Sequence, residues 1–235
     1  MRHSLLEKII NLYTKPYCAI CKAELVGTEE AICLRCSLSM PFTETWQLPD
    51  DNEMAKLFWH QIPIKGCTAL FHYHSHSPSA QLLYRLKYGN EPNIGRQLGK
   101  IIALKGIHSN FFDGIDAIIP IPLSPNRIKT RGYNQSLMIA EGIASVTHLP
   151  IITNAVIRNT FKESQTHKSR WQRKENVEHA FLLNESYPLA NLTGKHLLII
   201  DDVCTTGSTI IACCQQLKAL EGTTFSVACI GWAQG

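Results

Sequence analysis

A short apolar strand that ends in two carboxylates is the most chemically informative stretch of this sequence. Residues 197–200 are apolar, Asp201 and Asp202 follow, and a loop of small hydroxyl residues surrounds Gly207. A helix is predicted over 210–220, and the unpaired N–H groups and the dipole at such a helix start favour an anion. The pattern predicts a phosphate site beside two carboxylates that face a sugar diol or a bound cation, and a ribose 5-phosphate offers both groups.

Four of the nine cysteines form two Cys-x-x-Cys pairs, Cys18 with Cys21 and Cys33 with Cys36. Two such pairs let four thiolates reach one tetrahedral Zn²⁺. A redox dithiol or a chance grouping is the alternative, but redox pairs normally occur singly beside a βαβ pattern. We therefore predict a structural zinc ribbon that folds around its metal, because this stretch has few apolar residues for a core.

A second candidate anion site follows a strand predicted at 115–119. A proline-rich loop begins at Pro120, and Gly132 precedes Asn134, which is predicted to cap a helix. The loop carries three cations within five positions, Arg127, Lys129 and Arg131. Cations after a strand end and before a helix suit an anion, although a solvated basic loop explains this stretch alone equally well.

Three further groups of polar residues could contact a ligand or metal, or could be ordinary surface residues. Residues 158–178 are basic and include Arg173, which suits a lid over a polyanion, and a disordered loop is the alternative. Arg85 and Lys87 end a predicted helix at 79–88, where a basic residue is a solvated cap or a ligand contact, and the sequence favours the cap. A metal site at the alternating histidines is less favoured than a solvated strand end; these are His72, His74 and His76.

Composition limits the class of protein. The chain has 235 residues, 45% hydrophobic and 18% charged, with a net charge of +4, which is typical of a globular protein and too mild to indicate nucleic-acid binding. No apolar run approaches the roughly 20 residues of a membrane span. The first residues lack a clean signal-peptide core, so we expect a cytoplasmic protein without membrane insertion.

The order of the predicted elements indicates an α/β fold. Strands alternate with helices from about residue 67, which predicts a mostly parallel sheet flanked by helices, with a small zinc ribbon before it. We expect an N-terminal helix and zinc-ribbon module at 1–45, a connector at 46–66 and the α/β domain at 67–235. Ligands of such sheets bind beyond the carboxyl ends of the strands, where both anion loops fall.

With these residues the chain resembles the ComF/GntX family of competence-associated proteins, whose C-terminal part is similar to a type I phosphoribosyltransferase. The resemblance covers nearly the whole chain. Its motifs are the two cysteine pairs, Pro120-Ile-Pro-Leu with Arg127 and Arg131-Gly-Tyr-Asn-Gln, residues 165–181, and Asp201-Asp-Val-Cys-Thr-Thr-Gly-Ser-Thr. Ser124 and Asn126 depart from it, since basic residues are frequent there in the family.

The resemblance implies the ligand, phosphoribosyl pyrophosphate (PRPP) with Mg²⁺, and the roles of the site residues. Asp201 and Asp202 would be the catalytic residues and bind the ribose hydroxyls. The full PRPP loop would be Asp201, Asp202, Val203, Cys204, Thr205, Thr206, Gly207, Ser208 and Thr209. Pyrophosphate and lid contacts would come from Arg127, Arg131, Gly132 and Arg173.

Three functions are compatible with these features. The family resemblance favours a DNA-uptake accessory in transformation, which binds PRPP and whose zinc module contacts single-stranded DNA or a DNA-processing protein. A salvage-type transferase is permitted by the intact loop, but no base-selecting hood is recognisable and the acceptor is not indicated. A PRPP-sensing regulator without catalysis is the third. The aromatic and basic residues near the ribbon suit a single strand, although ordinary surface is slightly favoured; they are Tyr13, Lys15, Tyr17, Lys22 and Arg35.

Overall fold

The structure is a computed structural model that describes residues 17–27, 29, 32–159 and 180–233. The chain divides into two compact units, Met1–Met40 and Pro41–Gly235. The domain boundaries predicted at residues 45 and 66 stay a prediction, because compactness alone does not show which segments fold independently. The helix predicted near the N-terminus lies outside the described residues.

The first unit is built from tight turns. Tyr17 and Glu24 form an isolated antiparallel bridge, and Leu34–Leu38 forms a short helix, α1. Between the two bridge residues the chain reverses through Lys22, which has a φ of 64°. Gly27, with a φ of 60°, makes the next turn. Glycine adopts this positive φ at no steric cost, so Gly27 suits a turn between the two cysteine pairs.

The second unit contains the regular elements of an α/β fold. Its strands are β1 (Ile64–His72), β2 (Ala117–Pro120), β3 (Val156–Arg158), β4 (Phe181–Leu183), β5 (His196–Cys204) and β6 (Thr224–Trp232). Its helices are α2 (Glu53–Lys56), α3 (Pro78–Tyr88), α4 (Pro92–His108), α5 (Pro125–Arg131), α6 (Gln135–Thr147) and α7 (Ser208–Leu217), with a 3₁₀ turn at Leu189–Leu192.

Four strands form a parallel sheet in the order β1-β6-β5-β2. β5 lies between β6 and β2, so the apolar run that precedes Asp201 is paired on both sides. Ile118 of β2 also pairs with Ile151 on its other side. Because all four strands run in the same direction, their carboxyl ends lie along one edge of the sheet, which places Asp201 and Pro120 at that edge.

Helices cover both faces of the sheet. α2 and α7 pack on one face, where Phe58 and Ile210 join the strand residues Ile199 and Val227 in one buried cluster. α6 packs against β2, β5 and α4. Gly142 permits this close approach, because a Cβ atom there would lie 2.0 Å from the backbone oxygen of Arg96.

A separate antiparallel ribbon, β3 and β4, packs against α7. At its end the Asn159 N–H donates to the carbonyl of Ala180 at 2.9 Å, and the Arg158 guanidinium carbon lies 4.7 Å from the centroid of the Phe181 ring. Residues 160–179 connect the two strands and lie outside the described residues. They include Arg173 and most of the predicted lid.

The predicted fold class, a mostly parallel sheet flanked by helices, is confirmed. The region of the three cations differs from prediction: the prolines favour a loop, whereas Pro125–Arg131 forms helix α5. Pro125 is accepted at the first turn because its missing N–H would have no partner there. The buried Ser124 caps this helix by accepting the Arg127 N–H. In the described ranges, no helix combines the length and apolar character that crossing a membrane requires.

Candidate functional site

The four cysteines of the first unit converge as their spacing predicts. The Sγ atoms of Cys18, Cys21, Cys33 and Cys36 all lie within 4.8 Å of one another. Sulfur atoms around a tetrahedral zinc are about 3.8 Å apart, given Zn–S bonds of about 2.3 Å, and the Cys21 and Cys33 sulfurs are 3.6 Å apart. The donor set and its size therefore fit a four-thiolate metal site. The three histidines do not add a second cluster in the described part of the chain.

Backbone N–H groups around Cys18 favour its thiolate. Burial raises the pKa of this thiol, but N–H groups of Cys21, Cys33 and Ile20 outweigh it and lower the pKa to about 6. Burial first, and then the neighbouring thiols, raise the pKa of Cys36 to about 12. One thiolate thus forms readily, whereas a cation is needed to ionise the set.

Two carboxylates lie at the carboxyl end of β5, in the second unit. One Asp201 oxygen accepts the N–H of Asp202 at 2.8 Å and the hydroxyl of Ser136 at 3.3 Å. Burial, followed by the charge of Asp202, raises the pKa of Asp201 to about 7. A cation bound between these groups would favour the ionised form of both.

Asp202 already has a cationic partner. Its Oδ1 atom lies 3.0 Å from Nζ of Lys87, and the two side chains are only 13% and 25% exposed. Lys87 reaches the carboxylate from the last turn of α3. The prediction that Lys87 is a solvated helix cap is therefore wrong.

A small-residue loop continues from the carboxylates. Gly207 has a φ of 71° and begins helix α7, and a Cβ atom there would lie 2.9 Å from the ring of Phe58. Thr206 and Ser208 share a 2.7 Å hydrogen bond between their hydroxyls. A small cleft is lined by Asp201 and residues 203–210, so the hydroxyl groups, the start of the helix and one carboxylate border the same space.

The predicted cationic segment adjoins the carboxylates through the start of α6. Arg131 donates to the Gln135 side-chain oxygen at 3.0 Å, and Ser136, the next residue, donates to Asp201. Gln135 is 1% exposed, and its amide nitrogen has no partner in the described part of the chain. Gly132 ends α5 with a φ of 80°. Buried polar groups normally have partners, so this amide nitrogen is available to an acceptor.

The loop thiol Cys204 lies in an environment that disfavours its thiolate. Burial first, and then the charge of Asp201, raise the pKa of Cys204 to about 12. The thiol therefore stays protonated at neutral pH.

Comparisons with known proteins agree with this architecture. Residues 135–231 match the family model of the phosphoribosyl transferase domain. DNA utilization protein YhgH of Shigella flexneri is 28% identical over 217 residues, which cover 91% of this chain and 88% of the relative. Competence protein F of Haemophilus influenzae is 28% identical over 213 residues (87% and 80%), and competence protein ComFC of Bacillus subtilis is 24% identical over 229 (78% and 87%).

The chain is similar over most of its length to the ComF and YhgH proteins. A solved structure of the allosteric regulatory enzyme of purine biosynthesis also matches, with 19% identity and a TM-score of 0.42, over 63% of this chain and 30% of that enzyme.

The structure of this ComF-like chain brings together only part of the predicted site. Asp201, Asp202 and the loop at 205–209 are contiguous in space. Arg131 and Gly132 lie at the end of α5, next to the start of α6, and Arg127 is exposed on α5. Arg173 lies outside the described residues.

Sequence reasoning missed two residues of the ComF-like site, Lys87 and Ser136. Ser136 lies in the first turn of the helix that Asn134 caps, with the cap accepting its N–H at 3.0 Å, and this position near the cations could have indicated it. Lys87 carries no such local signal, because its partner is on a distant strand.

Proposed function

We propose that this ComF-like protein binds PRPP with Mg²⁺ at the carboxyl edge of its sheet and acts in DNA uptake during natural competence. The main support is one cleft bordered by Asp201, the hydroxyl loop and the start of α7, with Asp202 next to Asp201 in the chain. Carboxylates accept hydrogen bonds from a diol, and the N-terminus of a helix favours a phosphate.

In this proposal each part of PRPP has its own partners. Asp201 and Asp202 bind the ribose hydroxyls, residues 203–209 hold the 5-phosphate, and the segment with Arg127, Arg131 and Gly132 meets the pyrophosphate. Arg173 belongs to the proposed lid. When bound, Mg²⁺ would neutralise charge on the pyrophosphate and orient it.

The proposed biological role follows from the relatives. Proteins named for competence and for DNA utilization match this chain over most of its length. The four thiols fit a structural zinc, and the proposed partner of the zinc module is single-stranded DNA or a DNA-processing protein in the cytoplasm. Tyr17, Lys22 and Arg35 of this unit are exposed, so their side chains are accessible to such a partner.

PRPP binding is tested by thermal stability. A ligand that binds only the folded state at about 100 times its Kd stabilises by about 2.7 kcal/mol, so PRPP with Mg²⁺ should raise the melting temperature. Asp201→Ala combined with Asp202→Ala should abolish the shift. Asp113→Ala, which removes an exposed carboxylate elsewhere, is the control and should retain it. A wild-type protein without any shift at millimolar PRPP contradicts the proposal.

Catalysis and DNA binding need separate assays. Pyrophosphate release from PRPP with a panel of nucleobases distinguishes a transferase from a sensor, since only transfer liberates pyrophosphate. Binding to a single-stranded oligonucleotide should weaken steeply with salt if the basic residues neutralise phosphates. Binding that is absent at low salt would leave a protein partner as the target of the zinc module.

A further inference from the structure

The end of α3 joins the two parts of the candidate site. Lys87 contacts Asp202 at 3.0 Å. Its neighbour Tyr88 lies under Arg131, with 5.3 Å between the guanidinium carbon and the ring centroid. On the other side of Lys87, the carbonyl of Leu86 accepts the Tyr133 hydroxyl at 2.5 Å. Lys87 is therefore held between the carboxylates and the cationic segment.

This contact places an ammonium group beside a carboxylate that would bind a metal ion in the proposed function. Divalent cations such as Mg²⁺ prefer carboxylate oxygens, but the Lys87 ammonium lies beside one oxygen of Asp202 and repels a second cation. Both side chains are largely buried, which weakens the screening by solvent. An exposed pair of the same type, Lys56 with Glu53 at 2.5 Å, lacks this shielding.

We propose that Lys87 is an internal counter-ion that excludes free divalent metal from Asp202 until PRPP enters. When PRPP binds, the Lys87 ammonium leaves Asp202 and pairs with the pyrophosphate. Asp202 then becomes available to the metal and the ribose hydroxyls. The second half of this proposal rests on the proposed function. The first half concerns metal binding without PRPP and has its own test.

The first test uses Mn²⁺ as the only ligand, with binding measured by titration and electron paramagnetic resonance. A neighbouring charge changes the affinity of a carboxylate for a proton by one to three decades, so Lys87→Met should bind Mn²⁺ roughly ten-fold more tightly than the wild type, or better. Lys87→Arg keeps the charge and should still exclude the metal. Lys56→Met is the matched control and should leave Mn²⁺ binding unchanged.

A double-variant comparison assigns the effect to Asp202. In an Asp202→Asn background, Lys87→Met should raise the affinity for Mn²⁺ much less, because the carboxylate that Lys87 contacts is gone and only its charge interaction with Asp201 remains. Equal Mn²⁺ binding by the wild type and folded Lys87→Met overturns the proposal. A gain of the same size in the Asp202→Asn background also overturns it.

The second test compares PRPP with ribose 5-phosphate, each with Mg²⁺. Lys87→Met should lose roughly ten-fold or more in affinity for PRPP and little for ribose 5-phosphate, because only PRPP carries the pyrophosphate that would accept the ammonium. An equal loss for both ligands contradicts transfer of Lys87 to the pyrophosphate. If the wild type binds neither ligand, the proposed function fails. The Mn²⁺ result still decides whether Lys87 excludes divalent metal from Asp202.

Discussion

The two units use cysteine in opposite ways. In the first unit four thiols converge within 4.8 Å of one another, and N–H groups lower the pKa of Cys18 to about 6. In the second unit the cysteines are buried, and burial raises the pKa of Cys213 to about 12. The surroundings determine the protonation state of a thiol. Backbone N–H donors stabilise the thiolate that binds metal, whereas an apolar core keeps the thiol neutral and well packed.

Removal of the metal ligands should have the largest effect, and it should distinguish the cysteines of the first unit from those of the second. Cys18→Ser combined with Cys33→Ser should abolish zinc binding and unfold the first unit, since structural zinc contributes on the order of 10 kcal/mol in small modules. Metal analysis and hydrogen exchange measure both results. Cys213→Ala should keep stoichiometric zinc. Zinc retained by the double variant would exclude the four-cysteine site.

A substitution in the second unit should instead disrupt the packing of its helices. Gly142→Ala places a methyl group 2.0 Å from the Arg96 carbonyl, so α4 and α6 must separate, at a cost of about 3 kcal/mol. Gly27→Ala in the first unit meets no atom within 4 Å and should cost only about 1 kcal/mol of backbone strain. Urea unfolding measures both. Equal losses would contradict a role for close packing, and zinc content should remain unchanged by Gly142→Ala.

The burial of Asp201 in the second unit should make the stability of the protein depend on pH. The folded pKa of Asp201 is raised to about 7, so the native state holds this proton more tightly than the unfolded chain does. Stability is therefore lost as the pH rises from about 4 to about 7. Asp201→Asn should stabilise the metal-free protein by roughly 2 kcal/mol at pH 8 and by little at pH 4.

Urea unfolding with a chelator present checks this dependence. Asp113→Asn removes an exposed carboxylate and should show no such trend. A gain from Asp201→Asn that is equal at both pH values would point to packing rather than to charge.

The smallest expected effect comes from the cap of α5. Ser124→Ala removes the acceptor for the Arg127 N–H and should cost about 1 kcal/mol. Thr130→Ala, which removes an exposed hydroxyl from the same helix, should cost less. Urea unfolding compares the two variants, and a larger loss for Thr130→Ala would contradict the assignment of Ser124 as the cap.

Much of the fold was predictable because its signals are local. The apolar run before Asp201, the glycine at 207 and the helix that follows occupy one continuous stretch, and Asn134 caps α6 as predicted. The cysteine pairs likewise carry their geometry in their spacing. Helix α5 was not predicted, because the prolines that precede it resemble a loop until Ser124 is seen to cap it.

The candidate site was predictable only where its residues are consecutive. The Lys87–Asp202 contact joins a helix end to a strand that comes much later in the chain. Nothing in the spacing of these residues specifies the pairing, which depends on how α3 packs beside the sheet. The contact of Ser136 with Asp201 has the same origin.

Phe58 supports the loop around Gly207 from outside the sheet. Its ring lies under Gly207, it is fully buried, and it precedes β1. A fragment that starts at residue 67, where the sequence places the domain boundary, would have an opening beneath this loop, whereas one that starts at Pro41 would keep its floor. The segment between the cysteine module and the sheet therefore supports the loop of the proposed ligand site, and shortening or replacing it should change what this loop binds.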